Sequence, residues 1–311
     1  GLSKDNIYFN LTNNQNLLKL FLSPNTPYNS LLLFHGTGVG KTCSSITIAE
    51  QYSEELQKLN KKIIILLNPS IKDNFIKNIF NLEKVKKGLK NYQCTGDKYI
   101  KEIDDFDKLS YEQIQQKVNK IIKNKYEFYG YQEFANKIEK IKSKIFSMYD
   151  DPNISYIKFK NKINSMFSNS FFIVDEAHNI KDGDKLKVLP PLLDMLFKYS
   201  ENMKLLLLTA TPMFDNSKEI IWLLNLMLRN DKKPLLKTKD YFDSDGNFIE
   251  ENKTQFINKI RGYISYVRGE NPYRFPERLY PITHKNIIKH KNLPIIDKKG
   301  ESIPEEKQIK E

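Results

Sequence analysis

Residues 31–45 read LLLFHGTGVGKTCSS. An apolar run leads into Gly36, Gly38 and Gly40, and then into Lys41 and Thr42. Glycines let backbone N–H groups curl around phosphate oxygens with no Cβ in the way. A helix starting at Lys41 turns the positive end of its dipole on the same oxygens. In such a loop Lys41 reaches the β- and γ-phosphates and the Thr42 hydroxyl ligates Mg²⁺, while Thr37, Val39 and Cys43 complete the cradle. The commonest form of the pattern begins with glycine. Here His35 holds that position, and it reads as a packing residue at a strand end rather than a catalyst.

The fold follows from what surrounds this loop. Short apolar runs at 31–34, 63–67, 171–174 and 205–208 read as buried parallel strands, each ending in small or polar residues. Helical spacing lies between them at 41–59, 70–80, 190–199 and 217–228. Alternation of this kind predicts an α/β fold with a mostly parallel sheet, whose carboxyl edge gathers the ligand-binding residues. A long segment, about 82–168, separates the second and third runs and is rich in Lys, Glu, Asn and Tyr. Within it 111–125 and 134–149 have helical spacing, and YEFYGYQEF (126–134) reads as a short strand and turn. We expect a mainly helical insertion on the rim of the sheet. The organised unit is expected over 1–281, with 282–311 a polar linker.

Two more strand ends carry chemistry. FFIVDEAHNI brings Asp175 and Glu176 to the sheet edge beside the phosphate loop. Asp175 would hold Mg²⁺, mostly through water, and Glu176 would orient or deprotonate an attacking water. LLLLTATP ends another run with Thr209 and Thr211. A hydroxyl pair there can bond the acid-bearing loop and sense a γ-phosphate; the plain alternative is a strand-to-turn signal.

Composition narrows the partners. The 311 residues carry a net charge of +12 and a pI near 9.3, a balance that favours polyanions. Abundant Lys, Asn and Ile also match an AT-rich coding bias. The N-terminus lacks a signal-peptide pattern and no apolar run is long enough to span a bilayer, so an intracellular protein with no membrane partner is expected. Cys43 sits in the phosphate loop–helix junction. A cross-link there would fix a segment that must adapt to nucleotide, so Cys43 and Cys94 are expected as reduced thiols.

HGTGVGKT, DEAH and TATP, in that order, resemble motifs I, II and III of superfamily 2 helicases and translocases. The resemblance implies a RecA-like first lobe that uses ATP and Mg²⁺, with catalytic Lys41, Asp175 and Glu176, and coupling through His178, Thr209 and Thr211. LLNPS (66–70) resembles the motif Ia that touches a nucleic-acid backbone, which points to Pro69, Ser70 and Lys72. YGYQEF (129–134), with Tyr131, falls where a motif Ib-like element would lie. Gln15 is the candidate for the glutamine that reads adenine; the alternative is a solvated glutamine on a polar helix.

LLLFHGTGVGKTCSS and YISYVRGENPYRFPERLYP are similar to the large-DNA-virus branch. That branch includes the poxvirus early transcription factor small subunit, the poxvirus nucleoside triphosphate phosphohydrolase and giant-virus relatives. This implies nucleic acid, DNA before RNA, as partner, and a virion or cytoplasmic virus factory as location. A viral transcription factor subunit or RNA polymerase is a further implied partner. Motifs IV to VI of the second lobe are absent, so the chain reads as a first lobe alone, lacking the arginines that complete such a site across the cleft. An interaction module that docks a transcription partner through 82–168 is the alternative. A phosphate-loop kinase is disfavoured, since the DEAH-to-TATP order is a motor pattern.

Overall fold

The computed structural model describes residues 11–180, 188–213 and 216–268. The expected linker 282–311 and residues 269–281 of the viral-type wording lie outside them.

Among the described residues six strands form one parallel sheet: β1 (Ser30–His35), β2 (Ile63–Leu66), β3 (Tyr126–Tyr129), β4 (Phe171–Asp175), β5 (Lys204–Thr209) and β6 (Ile264–Val267). Their order is β3-β2-β4-β5-β1-β6. The central strands are apolar on both faces because helices cover both. Their side chains alternate with period two between two cores. Leu32, Ile64, Phe172 and Leu205 enter one; Leu31, Ile63, Phe171 and Leu206 enter the other. The register aligns Leu31 with Leu206 and Phe172 with Leu205. The four expected strands are thus present, as is the short strand in 126–134.

The segment 82–168 is more than a rim insertion. Its strand β3 pairs in parallel with β2, Ile63 opposite Tyr126, and so becomes an edge of the sheet itself. Helix Tyr111–Lys125 begins at a capping box, in which Ser110 accepts from the Gln113 backbone and Gln113 accepts from that of Ser110. It buries Ile114, Val118 and Ile122 in one core. Helices Tyr131–Phe146 and Pro152–Phe167 bury Phe134, Ile138, Phe159 and Ile163 in the other. Their outer faces are charged while one stripe is apolar, so each has a surface to bury.

A buried polar cluster ties this segment to the phosphate-loop helix. Glu50 follows helix Lys41–Ala49 and accepts hydrogen bonds from Tyr99 at 2.8 Å and Tyr126 at 2.6 Å. Lys98 lies 3.0 Å from the second Glu50 oxygen. A carboxylate removed from water needs such partners to remain charged.

β6 was not legible as a strand. It has only four residues, each partly or fully exposed, so the continuous apolar run of a buried strand is missing. It pairs with β1, Leu33 opposite Ser265 and His35 opposite Val267.

Cys43 and Cys94 are joined by a disulfide, contrary to the expected free thiols. The place of Cys43 at the loop–helix junction suggests a side chain among the phosphate-facing atoms. Its side chain instead lies on the buried face of helix Lys41–Ala49, which the chain around Cys94 covers. Thr47 on the same helix donates to the Cys94 carbonyl at 3.1 Å.

Candidate nucleotide site

The phosphate loop is built almost entirely from its own backbone. Gly38 has φ +78° and Gly40 φ +83°, left-handed values that disfavour any side chain. Gly40 caps helix Lys41–Ala49. The Lys41 ammonium donates to the carbonyls of His35 at 2.8 Å and Gly36 at 3.1 Å. Burial lowers its pKa, and the carboxylates of Glu176 and Asp175 partly restore it. Thr37 and Gly38 are exposed, while Gly36, Val39, Gly40, Lys41 and Thr42 are half-buried, forming an open rim with a supported base.

His35 is explained by β6. Its Nε2 lies 2.9 Å from the Ser265 hydroxyl, and it is fully buried. Burial, with Lys41 nearby, lowers its pKa to about 4, so the ring is neutral at pH 7. The loop continues this tie, since Gly36 N–H donates to the Val267 carbonyl at 3.1 Å.

Gln15 is brought to this loop. It lies on helix Asn13–Phe21 and is buried, not solvated. A Cβ placed on Gly40 would fall 2.9 Å from Gln15 Nε2. Gly40 is therefore demanded twice, by its dihedral and by this close approach. In the same helix Gln15 Oε1 accepts from Thr12 N–H, which holds the side chain in place.

The acidic turn stands at the end of β4, separated from β1 by β5. Asp175 is buried at the strand terminus and accepts from Glu176 N–H at 3.1 Å. Burial, followed by repulsion from Glu176, raises its pKa to about 6. Glu176 takes φ +48°, a left-handed conformation unusual outside glycine. His178 Nδ1 lies 2.7 Å from Thr209 Oγ1 and 3.4 Å from Glu176 Oε2. Thr209 also accepts from Thr211 N–H at 3.0 Å. Thr209 is thus the buried link to the acidic turn, whereas Thr211 joins through its backbone and its side chain is exposed.

The two sets of residues have the chemistry of a Mg·nucleotide site. A glycine cradle with a helix amino terminus and a lysine faces anions, and a carboxylate with a hydroxyl, Asp175 and Thr42, suits a hard cation.

Pro69, Ser70 and Lys72 are exposed at the carboxyl end of β2. Ser70 is held by Asn68, whose Oδ1 accepts from its N–H at 3.1 Å. Tyr131 is different from the expectation. Its side chain is buried, and its hydroxyl donates to the Asp175 carbonyl, so it presents no face to a polymer. Residue spacing places Tyr131 in a turn near the edge; only the packing of its helix shows which way the ring points.

Parallel sheet, phosphate loop, acidic turn and Thr209 link define the class: a RecA-like lobe of the superfamily 2 helicase type. The family itself is shown by sequence. The SNF2-related domain matches residues 13–268, and this chain belongs to that family. Several of its relatives are viral. It is 31% identical over 289 residues to a "Putative ATP-dependent RNA helicase" of Acanthamoeba polyphaga mimivirus, covering 87% of this chain and 24% of that protein. It is 30% identical over 267 residues to a "Putative helicase" of Invertebrate iridescent virus 3, covering 82% and 23%. The "Early transcription factor large subunit homolog" of African swine fever virus is 24% identical over 325 residues, covering 87% and 28%. The chain thus spans about a quarter of the length of these relatives. Among solved structures it is similar to the Sulfolobus solfataricus SWI2/SNF2 ATPase core in complex with dsDNA. There the identity is 15% and the TM-score 0.47, over 88% of this chain and 47% of that one. No helix among the described residues is long and apolar enough to cross a membrane.

Proposed function

We propose that this chain is the first ATPase lobe of a viral nucleic-acid helicase or translocase, working with a second RecA-like lobe. The observation that carries the reading is the convergence of Lys41, Asp175 and Glu176 on one sheet edge, with Glu176 linked through His178 to Thr209. In this reading the loop 36–43 holds the phosphates of ATP, and Gln15 beside Gly40 reads the adenine. Thr42 and Asp175 would hold Mg²⁺, which supplies charge neutralisation on the phosphates. Glu176 orients the attacking water and accepts its proton. His178 and Thr209 carry the state of the site to the neighbouring strand.

Pro69, Ser70 and Lys72 contact a nucleic-acid backbone, DNA before RNA, without reading sequence. The viral relatives support a place in transcription or genome processing, in a virion or virus factory. A second reading has its own support. Phe146, Met148, Tyr149, Ile154 and Ile157 are exposed together at the junction of two helices, a surface suited to docking a transcription factor subunit or polymerase.

The test is ATP turnover by the full-length protein with no polymer, single-stranded DNA, duplex DNA and single-stranded RNA. Stimulation by one polymer supports the motor and names its track. Turnover insensitive to all of them moves the assignment to the docking module.

A further inference from the structure

The acidic turn is strained and needs external support. A non-glycine residue in the left-handed region is strained and persists only where its surroundings over-determine it. Glu176 is such a residue, at φ +48°. Within the turn, Asn179 N–H donates to the Glu176 carbonyl at 3.0 Å and Glu176 N–H donates to Asp175. Thr209 supports the turn from one side, through His178, and Tyr131 supports its backbone directly. Its hydroxyl donates to the Asp175 carbonyl and lies 3.5 Å from the Glu176 carbonyl. Burial and the two carboxylates push its pKa up, so it remains a donor throughout the neutral range.

Tyr131 is also connected to the exposed end of β2. It opens helix Tyr131–Phe146 directly after Gly130, whose N–H donates to Glu133 at 3.1 Å. A Cβ on Gly130 would lie 3.2 Å from Pro69 Cγ, so the Pro69 ring packs against this backbone. Leu67 N–H donates to the Tyr129 carbonyl at 3.1 Å, which closes the unit. From the exposed Pro69 to the carbonyl at the acidic turn the path is therefore one packed glycine and one side chain.

We propose that Tyr131 is a positioning residue that holds the Glu176 turn in its active geometry and transmits polymer contact at Pro69 to it. The inference rests on the ATPase reading above. Tyr131 touches no substrate; it acts through the backbone that aims Glu176. A polymer pressing on the Pro69–Ser70 edge shifts Gly130 and the start of the helix, and the hydroxyl carries that shift to the turn.

The experiment is steady-state ATP hydrolysis by the full-length protein with and without its stimulating polymer, alongside binding of a fluorescent ATP analogue and thermal melting. Tyr131→Phe removes one oxygen and keeps the ring. The expected result is a fall of about 10-fold in polymer-stimulated kcat, with KM for ATP and analogue affinity within about twofold. Gly130→Ala, which presses on Pro69 and leaves the hydroxyl intact, is expected to lower the stimulation ratio while polymer still binds. Unchanged kcat and stimulation in both variants overturn the inference. So does a parallel loss of analogue binding, which marks a general structural role. Lys41→Ala separates this from the larger reading. If it leaves turnover intact, or the wild type hydrolyses no ATP, the ATPase reading fails and Tyr131 falls with it. If Lys41→Ala abolishes turnover while Tyr131→Phe is silent, only the role of Tyr131 is wrong.

Discussion

The phosphate loop and the acidic turn both close strands of the same sheet edge, yet they are held in different ways. The loop is largely self-contained: Lys41 donates to carbonyls five and six residues earlier, and Gly38 and Gly40 supply their own left-handed turns. The acidic turn is held by distant groups. Tyr131 reaches it from 44 residues away, and Thr209 from 31 residues beyond His178. A locally closed loop can be recognised in any chain that spells it. A turn closed by remote side chains exists only when the sheet has assembled.

The sharpest break in this comparison is expected at Lys41. Lys41→Ala removes the positive charge proposed to face the phosphates and should weaken Mg·ATP binding by about 1,000-fold, read by fluorescent-analogue titration. The fold should survive, because the hydrogen bonds that Lys41 donates go to backbone carbonyls of its own loop. Unchanged binding would remove the phosphate-loop reading. Glu176→Gln comes next. It keeps the shape of the side chain and deletes the proposed proton acceptor, so turnover should fall by about 100-fold or more while analogue binding persists. An active variant would transfer the catalytic role elsewhere.

Two smaller effects probe the supports. The disulfide closes a loop with a sequence separation of 51 residues, and Cys94→Ser should lower unfolding free energy by about 2–4 kcal/mol in denaturant titrations. A loss of less than about 0.5 kcal/mol would mean that the cross-link adds little to the packing of this segment on the phosphate-loop helix.

His35 gives the smallest effect, and its sign is fixed. The unfolded ring titrates near 6.5 and the folded one at about 4. Between these values the unfolded chain binds more protons, so stability is full above pH 6.5 and declines as pH falls toward 4. The decline attributable to this group is about 1–3 kcal/mol, allowing for partial screening. His35→Asn should flatten that part of the stability–pH curve; an unaltered slope would reassign the titration.

Sequence reading went far with strands that are buried on both faces. Their uninterrupted apolar runs are short and bounded by polar or small residues, which favours strand over buried helix, and residues 31–34 and 171–174 fall inside β1 and β4. It failed with β6, whose four residues are half-exposed and gain their strand identity only by pairing with β1. It also placed Cys43 by its neighbours in the chain, when the direction of its side chain on a buried helix face was what counted. Gln15 was legible only as a candidate. Its approach to Gly40 depends on how helix Asn13–Phe21 lies across the loop.

Local spelling therefore determined the glycine cradle, the acid pair, the parallel strands and the helical character of 82–168, since each depends on dihedral preference or on burial patterns that repeat along the chain. Tertiary structure alone decided that 82–168 would complete the sheet through β3, that Tyr131 would turn inward onto the Asp175 carbonyl, and that His35 would lock β1 to β6 through Ser265. Those outcomes depend on contacts between residues 44 to 230 positions apart, whose geometry is set by packing of the whole sheet and leaves no periodic mark in the sequence.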